Sequence, residues 1–319
     1  MIKGNQTLPE FILLGFSDLR ALQGPLFWVV LLFYLVTLLG NSMIILLTRA
    51  SPSLHLPIPS LHLPMYFFLR HLSVVELLYT TDIVPRTLAD LASPHPQAIS
   101  FQGCAAQMYI FIVLGISECC LLTAMAYDRY AAICRPLHYS ILMSRRACVA
   151  MVSISWLMGI ITATTHSSLI FTLPFPRHPI IPHFLCDILP VLRLASAGKH
   201  RSEISVMTAT VVFIMVPFSL IVTSYVRILG AILAMASTQS RRKVFSTCSS
   251  HLLVVCLFFG TTSITYIQPQ AGSSVTTNRI LSLFYTVVTP MLNPIIYTLR
   301  NKEVAGALRH MVKRQVFSP

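Results

Sequence analysis

The stretch that decides the fold is Phe101–Ile133, FQGCAAQMYIFIVLGISECCLLTAMAYDRYAAI. It is an almost unbroken apolar run with one carboxylate, Glu118, in its middle and a charged pair, Asp128-Arg129, near its end. A helical membrane span needs about 20 mostly apolar residues, and a water-facing helix needs a polar face that this one lacks. Similar runs occur at Pro25–Thr48, Met65–Leu88, Ala147–Phe171, Ile204–Met235, Val244–Ile267 and Ile280–Leu299, the last being the weakest on hydropathy. Single prolines within them, such as Pro217, Pro290 and Pro294, are tolerated in a packed bundle. The expectation is an all-α membrane protein, a seven-transmembrane helix bundle forming one domain over 1–319. Its parts are an outer segment 1–24, a bundle 25–299 and an inner tail 300–319.

Composition agrees. The 319-residue chain is 55% hydrophobic and 10% charged, where soluble chains carry roughly 25% charged residues. That excludes a soluble enzyme, a secreted disulfide scaffold and a disordered chain. The net charge of +13 comes from basic residues scattered through apolar sequence, so the partner is a lipid bilayer and not nucleic acid. Phe11–Phe16 is too short and too closely flanked by Glu10 and Asp18 to read as a cleavable signal, which leaves the first span as its own insertion signal.

Orientation follows from where the positive charge lies. One set of connections carries Arg49, Arg129, Arg135, Arg145, Arg146, Arg227, Arg241, Arg242 and Lys243, with Arg300, Lys302, Arg309, Lys313 and Arg314 after the last span. The opposite set is poorer in basic residues and diluted by Glu10, Asp18, Asp90, Asp187 and Glu203. This sequence therefore predicts a plasma-membrane protein with its amino terminus outside and its carboxyl terminus in the cytoplasm. Asn5-Gln6-Thr7 is then an N-glycosylation acceptor on the correct side. Asn301–Arg314 reads either as a basic amphipathic helix on the inner leaflet, with Val304, Leu308 and Met311 on one face, or as a solvated tail.

Of the 8 cysteines, none forms a C-x-x-C pair, so no metal site is expected from them. Only Cys104 and Cys186 fall on the oxidising side, where they either bridge or stand as free thiols; a bridge would pin the loop 172–201 to the third span. Ionisable residues inside spans are costly and mark functional positions. Glu76 lies ~18 Å from the inner end of its helix and Glu118 ~16 Å from Arg129, so both sit at one depth, with Asn41 and Asn293 slightly lower. This layer either holds a cation, a shared proton or water at Glu76 and Glu118, or serves as hydrogen bonding between helices. At the inner mouth, Asp128 beside Arg129 offers a charge pair that a switch can hold or release.

Together these motifs resemble the olfactory receptor branch of the rhodopsin-like G-protein-coupled receptors. The resemblance runs through Gly40-Asn41, Pro64–Leu69, Met125–Tyr130 continuing to Tyr139, Ser224-Tyr225, Phe245–His251 and Pro290–Tyr297. It implies a receptor for small volatile odorants that activates a heterotrimeric stimulatory olfactory-type G protein and raises cyclic AMP, with no enzymatic activity and no cofactor. Asp128, Arg129, Tyr130, Tyr225, Asn293, Pro294 and Tyr297 would then form the G-protein switch. The odorant cavity is expected in the outer half, walled by Phe111, Ile112, Gly115 and Cys119 on the third helix and by Phe259, Thr262 and Tyr266 on the sixth. Thr286 supplies a hydroxyl from the seventh. Phe111 and Arg129 are ~27 Å apart along one helix, so ligand and G protein must communicate through the bundle.

Three departures from the family pattern stand out. Pro176 and Ser196 occupy the positions of a second loop cysteine pair. Phe259 replaces a common tyrosine and is expected to remove a hydroxyl from the cavity floor. Pro52–Ile58 is repeated as Pro59–Met65, an insertion expected to be neutral for folding and harmful for coupling. Two alternatives are weaker. An amine receptor wants a carboxylate where Phe111 and Ile112 stand, and a transporter wants an inverted repeat that the chain does not show.

Overall fold

Seven long helical rods carry most of the backbone hydrogen bonding in this computed structural model, which describes residues 10–50, 64–177, 179–235, 237–267 and 274–300. The rods are α1 (Arg20–Ala50), α2 (Pro64–Ala92) and α3 (Phe101–Cys134), then, after the single turn α4 (Tyr139–Leu142), α5 (Arg145–Phe171). A short helix, α6 (Ile188–Leu194), precedes the fifth rod, α7 (His200–Thr210) continuing as α8 (Val216–Ala234). The sixth rod is α9 (Thr238–Ile267), and the seventh is α10 (Val275–Leu283) continuing as α11 (Thr289–Arg300). Asn5, the duplicated prolines before Pro64 and the tail beyond Arg300 lie outside the described residues.

Helix starts follow local chemistry. Ser100, Ser144 and Ser274 each turn a side-chain oxygen onto an otherwise unpaired amide of the first turn of α3, α5 and α10. The long rods then bury one another: α3 is central, packing against α5, α2 and α8. The apolar stretch of α3 is 67% buried against 22% for α1, which distinguishes an inner helix from an outer one. Outward-facing Trp28, Leu39, Leu46, Met207, Val226 and Leu233 stay exposed, an apolar belt suited to lipid.

Six rods are long and apolar enough to cross a membrane, and the seventh rod is among them. The weak one is α2, contrary to the expectation that the last span would be weakest. Glu76, Asp82 and Arg86 lower its hydropathy, yet Glu76 is fully buried inside the bundle. Average hydropathy misjudges a helix whose polar groups face neighbours rather than lipid.

A small sheet was not expected. β1 (Glu10–Leu13) pairs antiparallel with β2 (Gln97–Ser100) and parallel with β3 (Ile180–Ile181). Phe11 is completely buried there, its ring stacked on Phe101 at 6.0 Å and edge-on to Phe175 at 5.3 Å. The apolar run Phe11–Phe16 is thus a strand and turn. Gly15, at φ +51°, takes the left-handed turn that releases the chain into α1.

Candidate functional site

An apolar cavity of about 610 Å³, its open mouth included, lies between α3, α5, α7, α9 and the turn after α7. It sits toward the end of the bundle that carries Cys104, since Phe111 is seven residues or ~10 Å along α3 from that cysteine. Helical spacing brings Phe111, Ile112, Gly115 and Cys119 onto one face of α3 and onto the wall. The opposing wall includes Phe213, Phe258, Thr262 and Tyr266.

Proline shapes two of the walls. Pro217 and Pro290 have no N–H to give to the preceding turn, and each is preceded by a widened π-turn, Val211–Met215 and Phe284–Val288. In each case the amide bonds five residues back, Val216 to Val211 and Thr289 to Phe284. The bulges aim Phe213, Ile214 and Tyr285 into the cavity.

Six of the eight residues expected at the cavity line it: Phe111, Ile112, Gly115, Cys119, Thr262 and Tyr266. Phe259 does not. Its ring packs against Phe218 at 6.0 Å and Phe258 at 5.3 Å, and Phe258 faces the cavity instead, so the tyrosine replacement removes no hydroxyl from the floor. Thr286 is also absent from the wall, being fully buried and donating to the Ser282 carbonyl. Helix α5 contributes Thr162 and His166, which sequence reasoning passed over as span interior; a histidine inside an apolar run was the available signal.

The roof is a polar knot. Cys104 and Cys186 form a disulfide, and Asp187, the next residue, caps α6 by accepting from the Ile188 amide at 2.7 Å. Asp187 also accepts from Tyr266 Oη at 2.8 Å and Tyr285 Oη at 3.4 Å. Burial pushes the Asp187 carboxyl above its usual range, and these donors oppose the shift. Ser282 Oγ links Tyr285 to His183, and Arg279, 1% exposed, bonds Asp18 at 2.5 Å and the Pro182 carbonyl at 3.2 Å. Burial first, then Arg279, lowers His183 to about 3. Asp187 read only as diluting charge in the sequence; an aspartate directly before an apolar helical turn is the cap signature that marks it.

At mid-bundle, Glu76, Glu118, Asn41 and Asn293 are all buried. Asn293 donates to Glu76, and Glu118 lies near enough to Glu76 for the two carboxyl groups to act on each other. Both Glu118 oxygens otherwise lack a donor among the described residues. No group of three or more His, Cys, Asp or Glu placed to hold a metal ion occurs among the described residues. Gly40 is there for close approach: a Cβ on it would lie 2.7 Å from Pro294.

At the far end Asp128 and Arg129 are neighbouring opposite charges without a direct salt-bridge contact among the described residues. Asp128, 1% exposed, accepts a hydrogen bond from Tyr139 Oη at 2.7 Å, and neither described salt bridge involves it. Adjacent residues in a helix point to different faces, so Arg129 acts on Asp128 through space and not by direct contact. Arg129 lies near enough to Asp128, His251 and Cys248 to act on all three electrostatically. Tyr225 Oη meets His251 Nδ1 at 2.7 Å, and Tyr130 packs with Ile228, Ile232 and Cys248. The side chain of Tyr297 is outside the described set.

Comparison with known proteins agrees with this architecture. A family model described as "Olfactory receptor" matches residues 30–315. Olfactory receptor 10P1 of Homo sapiens is 83% identical over 317 residues, 99% of each chain. Olfactory receptor 10P22 of Mus musculus is 59% identical over 98% of this chain and 97% of its own. Olfactory receptor 10A7 of Homo sapiens is 47% identical over 99% and 98%.

Proposed function

The chain belongs to the olfactory receptor family, a multi-pass plasma-membrane receptor and not an enzyme, and on that premise we propose how it works. A small volatile molecule binds in the cavity around Phe111, Gly115 and Tyr266, and the occupied receptor activates a stimulatory olfactory-type G protein, raising cyclic AMP. The amino terminus and the disulfide face outward; the Asp128 end faces the cytoplasm, in keeping with the weight of basic residues there. The observation that carries this reading is the cavity itself, apolar, enclosed by helices and roofed by a loop held through Cys104–Cys186.

A route between the two ends passes through the polar layer. Tyr79 stacks on Phe111 at 5.4 Å, and Glu76 lies one helical turn along α2 from Tyr79. The two carboxyl groups of Glu76 and Glu118 take a shared proton or a small cation, since bare like charges would not remain in this layer. From there Asn293 leads to α11, and α9 carries the change to His251, Tyr225 and Arg129.

Gly115→Phe tests the proposal, because a Cβ there meets only Tyr79 at 3.9 Å and the added ring must occupy the cavity. Cells displaying the receptor are screened with a volatile panel for cyclic AMP. The native chain is expected to respond to a subset that the variant ignores at equal surface display. Responses unchanged in the variant would remove the cavity from the reading.

A further inference from the structure

We propose that this cavity prefers hydroxyl-bearing volatiles, alcohols and phenols, over matched ketones and ethers, and that His166 with Thr162 sets the preference. This rests on the cavity being the ligand site.

Most polar hydrogens on the wall are already committed. Thr210 donates to the Val206 carbonyl at 2.9 Å and Thr262 to the Phe258 carbonyl at 2.6 Å. The Tyr266 and Tyr285 hydroxyls are engaged with Asp187. The hydroxyls expected from sequence to greet a ligand, Thr262 and Tyr266, are therefore spent on the protein itself.

His166 is different. It is 4% exposed and lines the cavity, with Nδ1 2.8 Å from the Thr162 carbonyl oxygen. A carbonyl only accepts, so Nδ1 carries the proton and is the donor. In the neutral ring this fixes Nε2 as a lone-pair acceptor on the opposite edge, and no described residue supplies it with a donor. Thr162 lies one turn earlier on the same face and also lines the cavity, its hydroxyl without a partner among the described residues.

The pair asks for a group that gives one hydrogen bond and takes another. An alcohol does both, its O–H donating to Nε2 and its oxygen accepting from Thr162. A ketone or ether satisfies Thr162 alone and leaves Nε2 bare in a dry wall, which costs the desolvation of an unmet acceptor. An ammonium ligand would bring an unpaired charge, because the nearest roof carboxylate, Asp187, is closed off by Tyr266 and Tyr285. Tyr79, stacked on Phe111, both gives and takes hydrogen bonds and so discriminates between neither class.

The test reads ligand-induced thermal stabilisation of the purified full chain in detergent, which is independent of any G protein. The probes are alcohol, ketone and methyl-ether trios on shared aliphatic, cyclic and aromatic skeletons, such as octan-2-ol, octan-2-one and 2-methoxyoctane. Alcohols are expected to act at roughly tenfold lower concentration than their partners, the ratio for one well-made hydrogen bond. His166→Phe should shrink that ratio to about twofold or less, whereas His166→Gln, which keeps an acceptor, should preserve most of it. Equal potency in the native chain, or a preference that survives His166→Phe, overturns the inference and leaves the cavity intact. Stabilisation that persists in Gly115→Phe, or no stabilisation by any trio, defeats the cavity reading and this inference with it.

Discussion

At the disulfide end, the chain is joined across long sequence distances by bonds that do not exchange easily. Cys104–Cys186 closes a separation of 82 residues, β1 is hydrogen-bonded on both edges, and Arg279 reaches back to Asp18. At the other end, the side-chain tie between α3 and the turn after it is a hydrogen bond from Tyr139 to Asp128, and α8 meets α9 through Tyr225 and His251. The rods are continuous between the two. Their difference is one of bond type: covalent and strand-paired contacts make a frame, while single side-chain hydrogen bonds can be traded one at a time. On the proposed function, a ligand held in the framed half would shift the loosely tied half without unravelling its own cavity.

The comparison breaks most visibly if the frame is cut. Replacing both Cys104 and Cys186 with serine is expected to cost about 4.5 kcal/mol, the value for closing a loop of this length, and to abolish surface display. Surface labelling of intact cells checks this; display at the native level would mean that the sheet and Arg279 suffice.

Acid probes the same frame less drastically. His183 is held at about 3 in the folded chain against 6.5 for the free side chain, so the folded state binds fewer protons between those values. Stability should therefore fall as pH drops below about 6.5, by about 1.4 kcal/mol per unit well inside the window. The raised Asp187 carboxyl works in the opposite sense, because its protonation relieves a buried charge. Thermal melts of the purified chain should show the acid loss, and His183→Gln should remove it. A native melt that is flat from pH 6.5 downward would contradict the buried neutral histidine.

The smallest effect belongs to the loose end. Tyr139→Phe strips Asp128 of its donor and is expected to cost about 1 kcal/mol of stability. If activation on the proposed function requires this tie to be given up, the variant should raise cyclic AMP in the absence of ligand. Unchanged basal signal with normal display would show that this hydrogen bond is structural only.

Much of the bundle was readable in the residues. Span boundaries moved by only a few positions, because apolar runs near 20 residues and serine caps are local signals. The cavity face of α3 was also legible, since Phe111, Ile112, Gly115 and Cys119 share it by helical period alone. The sixth rod was harder. Phe258 and Phe259 are neighbours separated by about 100° around the helix, and only the packing of Phe218 decides which one turns away. The widened turns before Pro217 and Pro290 rotate everything beyond them, which a constant-period reading misses. The β1 strand escaped because four residues, Glu10–Leu13, carry no periodicity of their own and pair with partners far along the chain.

What the amino-acid order settled unaided was the environment and the number of rods: this much apolar side chain with so few charges has nowhere to go but lipid. It also settled which thiols were positioned to bridge. Only the assembled structure decided what each polar group does there, because a hydroxyl or a ring nitrogen has no fixed role until its nearest partner is known. Thr262 and Tyr266 turn inward to the protein, Asp187 becomes the knot of the roof, and His166 is left with a nitrogen facing the empty space.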